Sequence, residues 1–182
     1  RDAAIMVEHW DDPLPLYQGT GELNCYGDHF FQRFEAYEPD DQAKLAHLLR
    51  VMRASDYIIL ATNRLYNTIP RLPERYPLTS RYYELLLGEQ LGFELVHYSA
   101  VYPSLFGVEL VDDTFSDPLL PIPRLIRETT QERRQIVLGR ADESFTVYDH
   151  PKPLIFRRTE VLSPEEILRR LGDVVNDLPA SA

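Results

Sequence analysis

DQAKLAHLLRVMRASDYIILATNRLY, residues 41–66, places a helical pattern, a strand pattern and a polar loop in direct succession. Leu45, Leu48, Leu49 and Met52 recur at the three- and four-residue spacing of one helical face. Asp40 and Asp41 precede them, where a side-chain oxygen can accept from the orphan amides of a first turn and negative charge suits the helix start. The pattern predicts a helix over 41–54. Ser55 and Asp56 then lead into Tyr57, Ile58, Ile59, Leu60 and Ala61, an apolar run too short for a helix and rich in β-formers. It is expected as a central strand.

Toward the N-terminus, residues 31–37 alternate apolar and polar and predict a strand, and the apolar run at 3–7 predicts another. The strand-helix-strand order is a βαβ unit. The fold class expected is α/β, a three-layer Rossmann-like mixed sheet.

Toward the C-terminus, Pro70, Pro73 and Pro77 exclude a long helix over 63–77, which is expected as an irregular crossing. Thr79 or Ser80 is the expected cap of a helix running through Leu91 and closed near Gly92, followed by a strand at 93–101. Residues 103–140, with four prolines, predict a long irregular excursion holding a short helix near 124–134. Residues 144–148 and 153–157 predict an antiparallel hairpin at the sheet's edge. Ser163, Pro164 and Glu166 form a capping box for a last helix to about 172, and 177–182 are expected to fray.

The 182 residues suit one domain, and 44% hydrophobic with 26% charged residues is a soluble globular balance. A net charge of -10, from 29 acidic and 19 basic side chains, argues against nucleic acid as a partner. Cys25 is the one cysteine, which excludes an intrachain disulfide and a cysteine-rich zinc site. No stretch approaches the ~20 apolar residues of a membrane helix. Because the chain opens on Arg1 and runs quickly into a strand pattern, it is expected to be a segment of a longer polypeptide.

Candidate ligand contacts lie at the expected strand ends, where open α/β sheets bind ligands. Asn63, Arg64 and Tyr66 follow the central strand, and Arg71, Arg75 and Arg81 come soon after. Converging guanidiniums can hold a phosphate or carboxylate. The commoner role of such arginines is to pair with Glu74, Glu84 and backbone carbonyls and pin the loop. Trp10 and Asp11, after the first strand, suit a sugar or a metal contact, although adjacent carboxylates such as Asp11 and Asp12 lack the separation glycoside hydrolysis needs. Asp149 and His150 sit in the expected hairpin turn, but the chain has no nucleophile elbow, GxGxxG or P-loop. No catalytic residue, metal ligand or cofactor is assigned.

Three segments together, ADYIILATNRLY ending at Tyr66 (its Ala being Ala54, ahead of Ser55), IPRLPERYPLTSRYYELL (69–86) with GFELV (92–96), and ADESFTVYDHPKPLIFRR (141–158), carry a family resemblance, to which WDDPLPL (10–16) adds. They resemble the carboxyl-terminal soluble region of bacterial multi-pass membrane proteins of the protein mannosyltransferase and aminoarabinose transferase superfamily. The resemblance covers about two thirds of the chain and lapses over 103–140. It implies a membrane glycosyltransferase using a lipid-phosphate-linked sugar, with this domain on the extracytoplasmic side of the cell membrane. Its partners would be the membrane-embedded part of the same polypeptide and a lipid-linked sugar or glycan acceptor. The acidic catalytic residue of such enzymes is expected in the membrane part, so this domain is read as a noncatalytic accessory. The alternatives are a docking module without ligand and a free-standing sugar-phosphate hydrolase or transferase.

Overall fold

A computed structural model describes residues 3–8, 31–116, 119–131, 133–140, 142 and 151–180. Among the described residues, eight strands form two sheets. The main sheet has five, in the order β2-β1-β3-β8-β4: β1 (Ile5–Glu8), β2 (Phe31–Phe34), β3 (Tyr57–Leu60), β4 (Phe93–Tyr98) and β8 (Leu154–Arg158). β1 pairs in parallel with β2 and β3, and β8 lies antiparallel between β3 and β4. The smaller sheet, β5-β6-β7, comprises β5 (Ser104–Leu105), β6 (Val108–Val111) and β7 (Gln135–Val137).

The βαβ unit forms as the sequence predicts. Helix α1 (Gln42–Ala54) is capped by Asp41, whose carboxylate accepts from the Lys44 amide at 2.7 Å, and ends where the Ser55 hydroxyl donates to the Val51 carbonyl at 2.9 Å. It connects β2 to the parallel β3 across β1, and β3 is the third of the five strands, hence central. The stretch expected as an irregular crossing instead contains helix α2 (Arg64–Thr68) and a 3-10 turn, Ile69–Arg71. Pro70 sits in the first turn of that 3-10 segment, where its missing N–H costs nothing. Helix α3 (Pro77–Leu87) starts two residues before the expected cap for the same reason, with Pro77 at its first position.

Residues 103–140 are more regular than expected. β5 and β6 form a hairpin, α4 (Arg124–Thr130) packs against β4, and β7 returns parallel to β6. The last helix, α5 (Pro164–Leu171), has Ser163 accepting from the Glu166 amide at 3.2 Å. Arg169 and Arg170 hold the Glu166 carboxyl down at about 2. Within the stretch expected to fray, two residues are tied down: the Gln42 amide donates to the Pro179 carbonyl at 3.1 Å, and Leu178 is buried in the core.

Two further expectations change. β8 is antiparallel but interior, flanked on both sides, so it is not an edge strand; its expected hairpin partner, 144–148, lies outside the described residues. The described helices also serve one face of the sheet. Met6, Phe34, Ile58, Leu60, Leu154 and Phe156 pack with side chains of α1, α3 and α5, whereas Ile5, Val7 and Ile59, with Tyr57 and Ile155, make a separate cluster with no helix among the described residues. The architecture is therefore mixed α/β, with a five-stranded mixed sheet and a smaller one.

Candidate functional site

β1, β3 and β4 run in one direction and β8 against them, so the carboxyl ends of the first three share an edge with the amino end of β8. From β1 the chain goes to β2 on one side and returns through α1 to β3 on the other. The connections of neighbouring β1 and β3 thus part at this edge, the arrangement that opens a ligand crevice in α/β sheets.

Around that point sits a buried polar cluster. Glu8 ends β1 and accepts a hydrogen bond from the Tyr83 hydroxyl of α3. Asn63 follows β3 at the N-cap of α2 and is 1% exposed. Its carbonyl accepts from the Asn67 amide at 3.0 Å, yet its side chain caps nothing. Both Oδ1 and Nδ2 of Asn63 are buried and have no hydrogen-bond partner among the described residues, as is true of Asn67 Oδ1 and the hydroxyls of Tyr66 and Tyr82. A buried polar group left unpaired costs about 1–3 kcal/mol, so native proteins keep few of them. Asparagine at an N-cap ordinarily satisfies helix amides; here the amide is held back from that role.

The cluster continues toward the smaller sheet. Lys152, two residues before β8, donates to the Asp112 carboxylate and to the Thr114 hydroxyl at 2.6 Å, with the Tyr102 ring centroid 5.2 Å away. The Tyr98 and Tyr102 hydroxyls pair at 2.8 Å. Burial pulls the Lys152 ammonium below its ordinary value, and the Asp112 carboxylate works against that shift. Burial pushes the Tyr66 phenol well up, and Tyr98, Tyr102, Asp112 and Glu8 add to the rise, so this ring lies within the field of both halves. Burial, with Glu8 behind it, does the same to Tyr82. A cavity of about 240 Å³ opens beside Tyr98, Tyr102, Asp112, Thr114 and Phe115, and Phe115 stacks on Tyr66 at 6.3 Å. Phenols that stay protonated and amides that both donate and accept are chemistry suited to hydroxyl groups; Tyr98 and Tyr102 line the cavity, while Asn63, Tyr66 and Tyr82 lie buried behind it.

Of the residues named from sequence, Asn63 and Tyr66 enter this cluster, and half-buried Arg64 shares their helix. Arg71 ends the 3-10 turn and Arg75 lies past it, both exposed, with the Arg75 guanidinium 5.1 Å from the Tyr76 ring centroid. Arg81 takes the ordinary role, pairing with Glu84 at 2.7 Å and donating to the Arg170 carbonyl at 3.1 Å. Trp10, Asp11, Cys25, Asp149 and His150 lie outside the described residues.

Sequence reading missed Glu8, Asn67, Tyr82, Tyr83, Tyr98, Tyr102, Asp112 and Lys152. One signal was present: 17 of the 19 basic residues are arginines, and the two lysines, Lys44 and Lys152, both prove buried. Among the described residues, no group of three or more His, Cys, Asp and Glu is placed to hold a metal ion, and no helix is long and apolar enough to cross a membrane. No family model, no curated protein and no solved structure matches the chain.

Proposed function

We propose that the chain is a noncatalytic accessory domain of a membrane glycosyltransferase, on the extracytoplasmic side, and that its polar sheet edge receives the sugar of a lipid-linked donor or of the acceptor. The observation that carries the ligand site is Asn63, an amide whose side-chain polar atoms are buried and find no partner among the described residues where β1 and β3 part. The neighbouring phenols and the Glu8 carboxylate supply the donors and acceptors that a hexose ring demands. The attachment to a transferase rests on the family resemblance of residues 54–66, 69–86 with 92–96, and 141–158. We read the sheet as Rossmann-like on its parallel β2-β1-β3 half, with a second layer on the Ile5, Val7 and Ile59 face completing three layers.

The test is saturation-transfer NMR of the chain with free hexoses and hexose 1-phosphates, comparing the unaltered protein with Asn63→Leu and Tyr66→Phe. Transfer to the sugar ring is expected for the unaltered chain and at least about tenfold weaker binding in Asn63→Leu, the loss of one or two hydrogen bonds. Because Asn63→Leu removes unpaired buried polar atoms, its stability should hold or rise. Equal sugar contact in all three proteins would sink the reading.

One observation favours a docking module instead. Among the described residues β7 is an edge strand, and Ile136, Val137 and the following Leu138 are exposed along it, the kind of apolar edge that accepts a partner strand. That reading gains if sugars make no contact and Val137→Lys abolishes association with the membrane portion.

A further inference from the structure

Phe106 stands at the tip of the β5–β6 hairpin, whose loop is two residues, Phe106 and Gly107. Both have positive φ, 51° and 78°. Such a turn calls for asparagine, aspartate or glycine at its first position, and a bulky side chain there is disfavoured by the clash of Cβ with its own backbone. Phe106 is also 96% exposed, next to exposed Leu105, and a Cβ built on Gly107 would meet no atom within 4 Å. The residue is thus doubly unfavourable for the isolated chain: its backbone sits in a region it avoids, and its ring lies in water.

Two arginines lie close to the hairpin. The Glu109 amide donates to the Arg134 carbonyl at 2.9 Å, which places Arg133 and Arg134 beside the hairpin. Glu109 is the acidic residue of this hairpin, and its carboxylate is matched by Arg133 at 3.0 Å and by the Gln135 amide at 2.9 Å. Arg134 is exposed and makes no ion pair among the described residues.

We propose that this hairpin tip inserts into the interface of a bilayer containing anionic lipid, with Phe106 and Leu105 entering the acyl boundary and Arg134 meeting the headgroups. A convex point with one projecting ring fits a fluid phase that deforms around it, whereas a protein partner would need a matching socket. Aromatic and aliphatic side chains beside an arginine are the combination that partitions there. The proposal goes beyond the sugar site and uses none of its residues, so either can fail without the other.

The chain is sedimented with vesicles of phosphatidylcholine mixed with phosphatidylglycerol, alongside Phe106→Asn, Arg134→Gln and Asn63→Leu. Asparagine suits a positive φ better than phenylalanine, so Phe106→Asn keeps the fold while removing the ring. It should lower partitioning by about tenfold to a hundredfold, the transfer of one aromatic side chain. Arg134→Gln should weaken binding to the mixed vesicles and leave binding to pure phosphatidylcholine unchanged, and Asn63→Leu should bind like the unaltered chain. In Phe106→Trp, brominated lipids should quench emission beyond the quenching in the unaltered protein. The proposal is overturned if the unaltered chain does not sediment with vesicles, if Phe106→Asn sediments equally well, or if the tip instead drives lipid-free self-association that Phe106→Asn abolishes.

Discussion

A lysine ammonium is strongly hydrated, so it leaves water only where oxygens replace its shell. Lys44 finds three at 2.7 Å, the carbonyls of Ala36 and Glu38 and the Asp40 carboxylate, with the Phe34 and Tyr76 rings near its charge. Asp40 in turn accepts from the Thr79 amide at 3.0 Å and hydroxyl at 2.6 Å, which ties the start of α1 to the start of α3. Lys152 does the same between the sheets through Asp112, the two side chains being 3% and 5% exposed. Removing one partner of such a pair strands the other charge. Asp112→Ala is therefore expected to cost about 3–5 kcal/mol in denaturant unfolding, and the double replacement Asp112→Leu with Lys152→Met should recover most of it. A single-variant cost below about 1 kcal/mol would show that the pair contributes little. Lys152 is a conspicuous letter in an arginine-rich sequence, but its partner lies 40 residues away, and no local pattern names it.

Among the elements, α1 and α5 were legible because their caps and periodicity lie within a few residues: Asp41 with Lys44, Ser163 with Glu166. α2 was not legible. Five residues cannot display a helical period, and nearby prolines read as breakers when Pro70 in fact occupies a first-turn position. Gly92 was expected to close α3, yet the helix ends at Gly88 with φ of -75°, and Gly92 serves the entry to β4. Its φ is +76°, its carbonyl accepts the amides of Thr159 and Glu160 at 2.9 and 3.1 Å, and an added Cβ would lie 2.5 Å from the Glu160 carbonyl oxygen. Gly92→Ala should thus lower stability by more than about 1 kcal/mol, from strain and clash together, whereas Gly88→Ala, at negative φ, should cost less. Thermal unfolding of the two variants side by side checks the contrast.

Over the whole molecule, the phenols at the sheet edge set a pH limit. Tyr66, Tyr82, Tyr98 and Tyr102 are all pushed above the ordinary 10.0 by burial first. The folded state keeps these protons to higher pH than the unfolded chain, so the stability they contribute is whole below about pH 10 and is lost as pH rises beyond it. Lys44 and Lys152, lowered by burial, act with the opposite sign up to 10.5, but two ammonium groups oppose four phenols. Alkaline titration should show tyrosinate absorbance appearing together with loss of secondary structure above pH 10. Gradual ionisation in a chain that stays folded would contradict the buried cluster.

Sequence alone determined the α/β class, the βαβ unit with β3 at the centre of the sheet, and the capped helices, because period and cap chemistry are written within one or two turns of chain. It also placed Asn63 and Tyr66 at a strand's carboxyl end. Tertiary structure decided that β8 enters between β3 and β4, that Asn63 keeps an unpaired amide, and that Lys152 meets Asp112. Strand neighbours and buried polar partners are chosen by long-range packing, in which every competing contact bears on the outcome, and a local pattern of residues carries no record of that choice.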